Sequence, residues 1–77
     1  MAEAIEDFTL AIKLQPSLTS AYVHRGILHH QIGSMDIALQ DFNLALQQYQ
    51  NEGKTEKYTS LINLKQKLFY IELSKIA

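Results

Sequence analysis

Seventy-seven residues with a formal net charge of −1 and no cysteine allow one small domain without a disulfide staple or a thiolate metal site. A chain this short buries only about 60% of the surface it exposes when unfolded, so packing or self-association has to hold it together. Seven basic against eight acidic side chains argue against general nucleic-acid binding, and 47% hydrophobic residues are too many for a disordered chain. No apolar run approaches the roughly 20 residues of a membrane span, and Met1-Ala2-Glu3 does not open a signal peptide. The expectation is a cytoplasmic protein with no nucleic-acid and no membrane partner.

In chain order, the first feature is an internal repeat. Residues 1–16 align without gaps on residues 35–50 when shifted by 34 positions. Met1 meets Met35, Ala4 meets Ala38, Asp7 meets Asp41, Phe8 meets Phe42, Leu10 meets Leu44 and Ala11 meets Ala45. Ile5 and Ile12 fall on Leu39 and Leu46, which keeps volume and polarity. Ala4, Phe8 and Ala11 stand at i, i+4 and i+7, as do Ala38, Phe42 and Ala45, so each set lies on one helix face. Two alanines around a phenylalanine let a neighbouring helix come close while the ring fills the remaining gap.

Gln15-Pro16-Ser17 ends the first helix, because proline restricts the residue before it and breaks the hydrogen-bond ladder. A second helix is predicted to start within residues 17–20 and to run to about Ile32, where Gly33 supplies a left-handed stop. Ser34 or Asp36 is expected to cap the third, which reaches Gln50. Residues 51–54 form a turn with Thr55 as the next N-cap. The last helix then runs to about Ile76, roughly 20 residues or about 30 Å. On it Tyr58, Leu61, Ile62, Phe69, Leu73 and Ile76 cluster on one face, with Leu64, Leu68 and Ile71 in a second stripe beside it. The combined apolar arc of roughly 200° is wider than one neighbouring helix covers, so a further contact is expected there. Charge is split as well: residues 1–52 carry −4 and residues 53–77 carry +3, which suits an antiparallel or head-to-tail self-contact or, more simply, a solvated lysine face.

With Tyr22, Gly26, Ala38, Phe42 and Ala45 in order, and Pro16 closing the preceding unit, the sequence resembles the tetratricopeptide repeat family. The pattern departs from the family where Arg25 stands for the leucine before the glycine, His29 for an aromatic, and Gln50 for the closing proline. The resemblance covers residues 1–50. It implies an all-α, right-handed α-solenoid fragment of helix-turn-helix repeats: residues 1–16 the second helix of a partial repeat, residues 17–50 one full repeat, and residues 55–76 a long C-terminal capping helix. It also implies a concave groove lined by Val23, Ile27 and His30, with Ser20, His24 and Gln31 near its edges. That set lacks the cations with which relatives clamp acidic tails, so an apolar peptide or helix is the expected occupant.

Catalysis is not expected. There is no cysteine, no glycine-rich serine elbow and no phosphate-cradling loop, and Glu6-Asp7 lies on a helix surface without a pocket. His24, His29 and His30 share one helix at spacings of 5, 6 and 1, so no two face a common ion, leaving histidine-mediated metal binding a remote alternative and no cofactor implied. His29 is expected inside the repeat with a ring nitrogen bonded to backbone or water. Arg25 is read as a snorkelling side chain whose guanidinium reaches a nearby carboxylate, with an anion or peptide contact as the alternative.

Two functions therefore stand open. The first is a non-catalytic protein–protein interaction module that buries apolar helix faces against a partner or another copy of itself, through Phe8, Leu10, Leu64, Leu68 and Ile71. Its rationale is that the Ala4-Phe8-Ala11 face lacks its partner helix, either within a dimer or higher oligomer or because upstream repeats precede it. The second is the peptide groove at Val23, His24, Ile27, His30 and Gln31.

Overall fold

Pro16, Gly33 and Gly53 punctuate the chain, and a helix fills each interval. The computed structural model describes the backbone of residues 2–76 and the side-chain surroundings of residues 2–69. Helices α1 (Ala2–Leu14), α2 (Thr19–Gln31), α3 (Met35–Asn51) and α4 (Thr55–Ile76) follow in order, with no strand among the described residues. Packing is chiefly between neighbours in sequence: α1 on α2, α2 on α3, and α3 on α4. The result is a slab of 40 × 31 × 14 Å.

Both glycine stops have the same hydrogen-bond pattern. After α2, the Gly33 N–H donates to His30 O and the Ser34 N–H to His29 O; after α3, Gly53 donates to Gln50 O and Lys54 to Tyr49 O. Paired bonds of this kind around a left-handed residue satisfy the last carbonyls of each helix. Gly33 and Gly53 supply that conformation at φ +88° and +72°. The expected caps differ. Ser34 does precede α3, but its ψ of 72° lies outside the extended region from which a hydroxyl reaches back over the first turn, and it makes no side-chain cap bond. Asp36 is inside the first turn of α3, where its charge favours the helix dipole. Thr55 is already the first residue of α4, and Lys54 O accepts the bond from Tyr58 N–H.

The core is Tyr22, Ala38, Phe42, Ala45, Leu46, Tyr49 and Leu61, drawn from α2, α3 and α4. Gly26 is the hinge of this packing. A side-chain carbon built there would lie 3.1 Å from Phe42 Cε1 and 3.3 Å from Asp41 Cβ, so only hydrogen fits without displacement. Alanine would gain about 1 kcal/mol of helix propensity, but overpacking a sealed core costs about 1–3 kcal/mol. Gly26→Ala is accordingly expected to destabilise the chain by about 1 kcal/mol and Gly26→Val by more, measured by urea denaturation. An unchanged midpoint for the valine variant would contradict the close approach.

Packing also separates the two copies of the repeated helix. Ala38, Phe42 and Ala45 on α3 are all 0% exposed. Their counterparts Ala4, Phe8 and Ala11 are only half-buried, and α1 has no buried residue at all. The residues match; the number of neighbours does not. Helix α3 lies between α2 and α4, whereas α1 has only α2 as a major neighbour.

The broad apolar arc of α4 resolves differently from expectation. Leu64 and Leu68 pack against the core beside Tyr58, Ile62 and Phe69, rather than forming a second, free stripe. The exposed side over the described residues is Glu56, Lys57, Thr59, Ser60, Asn63, Gln66 and Lys67, all polar. Ile71, Leu73 and Ile76 lie outside the residues whose surroundings are described. Phe69 reaches both neighbours, set edge-on to Phe42 of α3 at 6.0 Å and to His30 of α2 at 5.2 Å.

Candidate functional site

The polar chemistry of the fold converges on Arg25. Its Nε and Nη2 donate to the two carboxylate oxygens of Asp41 at 2.9 and 2.7 Å, and Nη1 donates to Thr9 Oγ1 at 3.2 Å. The guanidinium also lies 5.7 Å from the centroid of the Tyr22 ring. Asp41 is 1% exposed, so the carboxylate end of the forked pair is sealed from water while Arg25 keeps 18% side-chain exposure. Its hydrogen bond to Asp41 holds the Arg25 pKa above the ordinary arginine value, outweighing the opposing effect of burial. This is the structural role read from the sequence, with Asp41 as the carboxylate and Thr9 as a further acceptor. One side chain thereby ties α1, α2 and α3 together.

A second polar set fastens the start of α2 to the end of α3. Thr19 Oγ1 donates to Gln48 Oε1 at 2.6 Å, and Gln48 Nε2 donates to Pro16 O at 3.0 Å. At the α3–α4 contact, Lys65 Nζ donates to Asn43 Oδ1 at 2.8 Å.

Between α2 and α4 runs an open groove of about 400 Å³, lined by Val23, Tyr49, Glu56, Lys57, Ser60, Leu61 and Leu64. Of the residues expected there, Val23 lines it. His24 instead stacks on Phe8 of α1 at 5.3 Å and 16°, and Gln31 is exposed at the last turn of α2. Ile27 packs against the core, and His30 lies against Phe69. The groove thus belongs mostly to α4. Leu64, read from the sequence as a self-association residue, forms part of its wall. Tyr49 and the 56–61 segment were missed because their membership depends on where α4 crosses α2, which no local pattern encodes.

Burial raises the pKa of Tyr49 above its ordinary value, with Glu52 adding to the effect. The folded state therefore favours the neutral phenol. Its contribution to stability is full below about pH 10 and is lost as pH rises toward the raised value. Tyr49→Phe is expected to flatten the alkaline decline in stability, read as urea midpoints across that range. An identical decline in both proteins would contradict the assignment.

The remaining candidates sort by exposure. Leu10 is 55% exposed, and Leu14 on the same helix and Ile37 and Leu44 on α3 are exposed as well. His29 Nδ1 and His30 Nε2 are buried with no protein group as hydrogen-bond partner, so of the two partners expected for His29 Nδ1 the backbone is not one. Among the described residues there is no group of three His, Cys, Asp or Glu side chains placed to hold a metal ion. No helix there is long and apolar enough to cross a membrane.

No family model, curated protein or solved structure matched the chain.

Proposed function

We propose that the chain is a tetratricopeptide-type, right-handed repeat fragment that acts without catalysis as a protein–protein interaction module. The observation that carries this reading is the unequal burial of one repeated face: 0% exposure at Ala38, Phe42 and Ala45 against half-burial at Ala4, Phe8 and Ala11. A large apolar side chain that becomes fully covered gains about 1.5–3 kcal/mol, which makes α1 the side where association is most favourable. The close approach of Gly26 to Phe42 and the 34-residue period support the repeat assignment. Another copy, a different chain or upstream repeats supply the cover.

The test is selection of helical peptides from a displayed library on the wild-type protein, counter-selected on Phe8→Asp, together with light scattering over a concentration series. Peptides that require Phe8, or a mass that rises with concentration and returns to the monomer in Phe8→Asp, would support the reading. A monomer that selects nothing dependent on Phe8 would overturn it.

A second reading rests on the α2–α4 groove. Its apolar wall of Val23, Leu61 and Leu64 beside Glu56 and Lys57 suits an extended peptide with apolar side chains and a charge of either sign at one end. Val23→Glu should abolish capture through this groove while leaving association through α1 intact.

A further inference from the structure

Helix α3 differs from its neighbours in what it shows to solvent. Its 17 residues include two charged side chains: Asp36 in the first turn, and Asp41, which is sealed beneath Arg25. Every exposed residue from Ile37 to Asn51 is uncharged. Ile37, Gln40, Leu44, Gln47 and Asn51 stand at i, i+3, i+7, i+10 and i+14, which makes them one stripe along the exposed arc. Ile37 and Leu44 are 45% and 43% exposed. The exposed side of α1 instead holds Glu3, Glu6, Asp7 and Lys13, and that of α4 holds Glu56, Lys57 and Lys67. Surfaces of small domains are commonly about a quarter to a third charged, and depletion of charge marks the centre of a contact.

This stripe is not an end of the repeat. Both α2 and α4 pack on α3, so its outer arc is open with two neighbours already in place. A slab 14 Å deep holds two helix layers, and the arc opposite α2 and α4 looks out of a broad side of 40 × 31 Å. That side has room for the roughly 800 Å² per partner of a standard interface.

We propose that the outer face of α3 is where two copies of this chain meet, antiparallel about a two-fold axis that passes close to Leu44. Leu44 then packs on its own copy, Gln40 faces the partner's Gln47, and Ile37 flanks the axis on each side. An amide carries both donor and acceptor, so a stripe of glutamines satisfies a copy of itself without a charged counterpart. A net charge of −1 leaves little long-range repulsion between the copies. The contact lies apart from the α1 face and stands without it.

Sedimentation velocity over a concentration series should show a monomer–dimer equilibrium with a Kd of about 100 μM or tighter. Leu44→Lys, at an exposed position outside the core, should weaken it at least about tenfold with unchanged far-UV circular dichroism. Phe8→Asp should leave the Kd within about twofold. Raising salt from about 50 to about 500 mM should change it as little, because the stripe has no charge to screen. The chain has no cysteine, so Leu44→Cys provides a single thiol at the axis. Mild oxidation should link that variant into a covalent dimer faster than Lys57→Cys. A monomer throughout, a dimer indifferent to Leu44→Lys or dispersed by salt, or faster linking at Lys57→Cys overturns the proposal. So do displayed peptides that need Leu44 on a chain that stays monomeric, since the stripe then belongs to a different protein. A mass that returns to the monomer in Phe8→Asp but not in Leu44→Lys refutes the α3 contact and leaves the interaction-module reading in place.

Discussion

Phe42→Ala is expected to remove about 3–5 kcal/mol of stability, while Phe8→Ala, the same substitution one repeat earlier, removes about 1 kcal/mol. Phe42 is 0% exposed, and its ring meets Gly26 on one side and Phe69 edge-on at 6.0 Å on another. Truncation leaves a cavity that cannot collapse, because Gly26 has no side chain to move into it. Phe8 touches His24 and remains half-exposed, so alanine there removes partial burial and creates no enclosed void. For a 77-residue domain, total stability is roughly 4–12 kcal/mol, so the first variant lies near the edge of folding and the second does not. Urea denaturation followed by far-UV circular dichroism reads both. Equal losses at the two positions would mean that α1 is as well covered as α3, and would remove the basis of the proposed docking face.

The second large effect concerns Arg25. Replacing it by leucine, the residue that the repeat pattern favours, should destabilise the chain by about 2–3 kcal/mol. The loss comes from Asp41, whose side chain is only 2% exposed and would be left buried without its partner. Arg25→Leu combined with Asp41→Ala should recover most of that loss, because a buried carboxylate is then no longer left unpaired. Asp7→Ala provides the control: the same repeat position, exposed, with an expected change within about 0.5 kcal/mol. A leucine variant as stable as the wild type would show that the forked pair contributes nothing net.

Much of the local structure is legible in the sequence. Pro16, Gly33 and Gly53 mark the helix boundaries, and each acts through backbone geometry that one residue determines. The small–large–small faces of α1 and α3 were equally visible, since helical periodicity projects them from spacing alone. The caps were less so. Whether Ser34 caps depends on its own ψ, here 72°, which its being a serine does not decide. The candidate groove was the least legible. Val23 was placed in it, but His24 and His30 turn to Phe8 and Phe69, and most of the wall comes from α4.

Sequence by itself thus determined an all-helical chain, a 34-residue period and which face of each helix is apolar, because these follow from contacts a few residues apart. Tertiary structure alone decided which copy of the repeated face is sealed, which carboxylate receives Arg25 and which side of α4 meets water. Asp7 and Asp41 are identical in type and repeat position, yet one is exposed and the other 1% exposed. Burial is a property of the neighbours, and α3 has two of them where α1 has chiefly one.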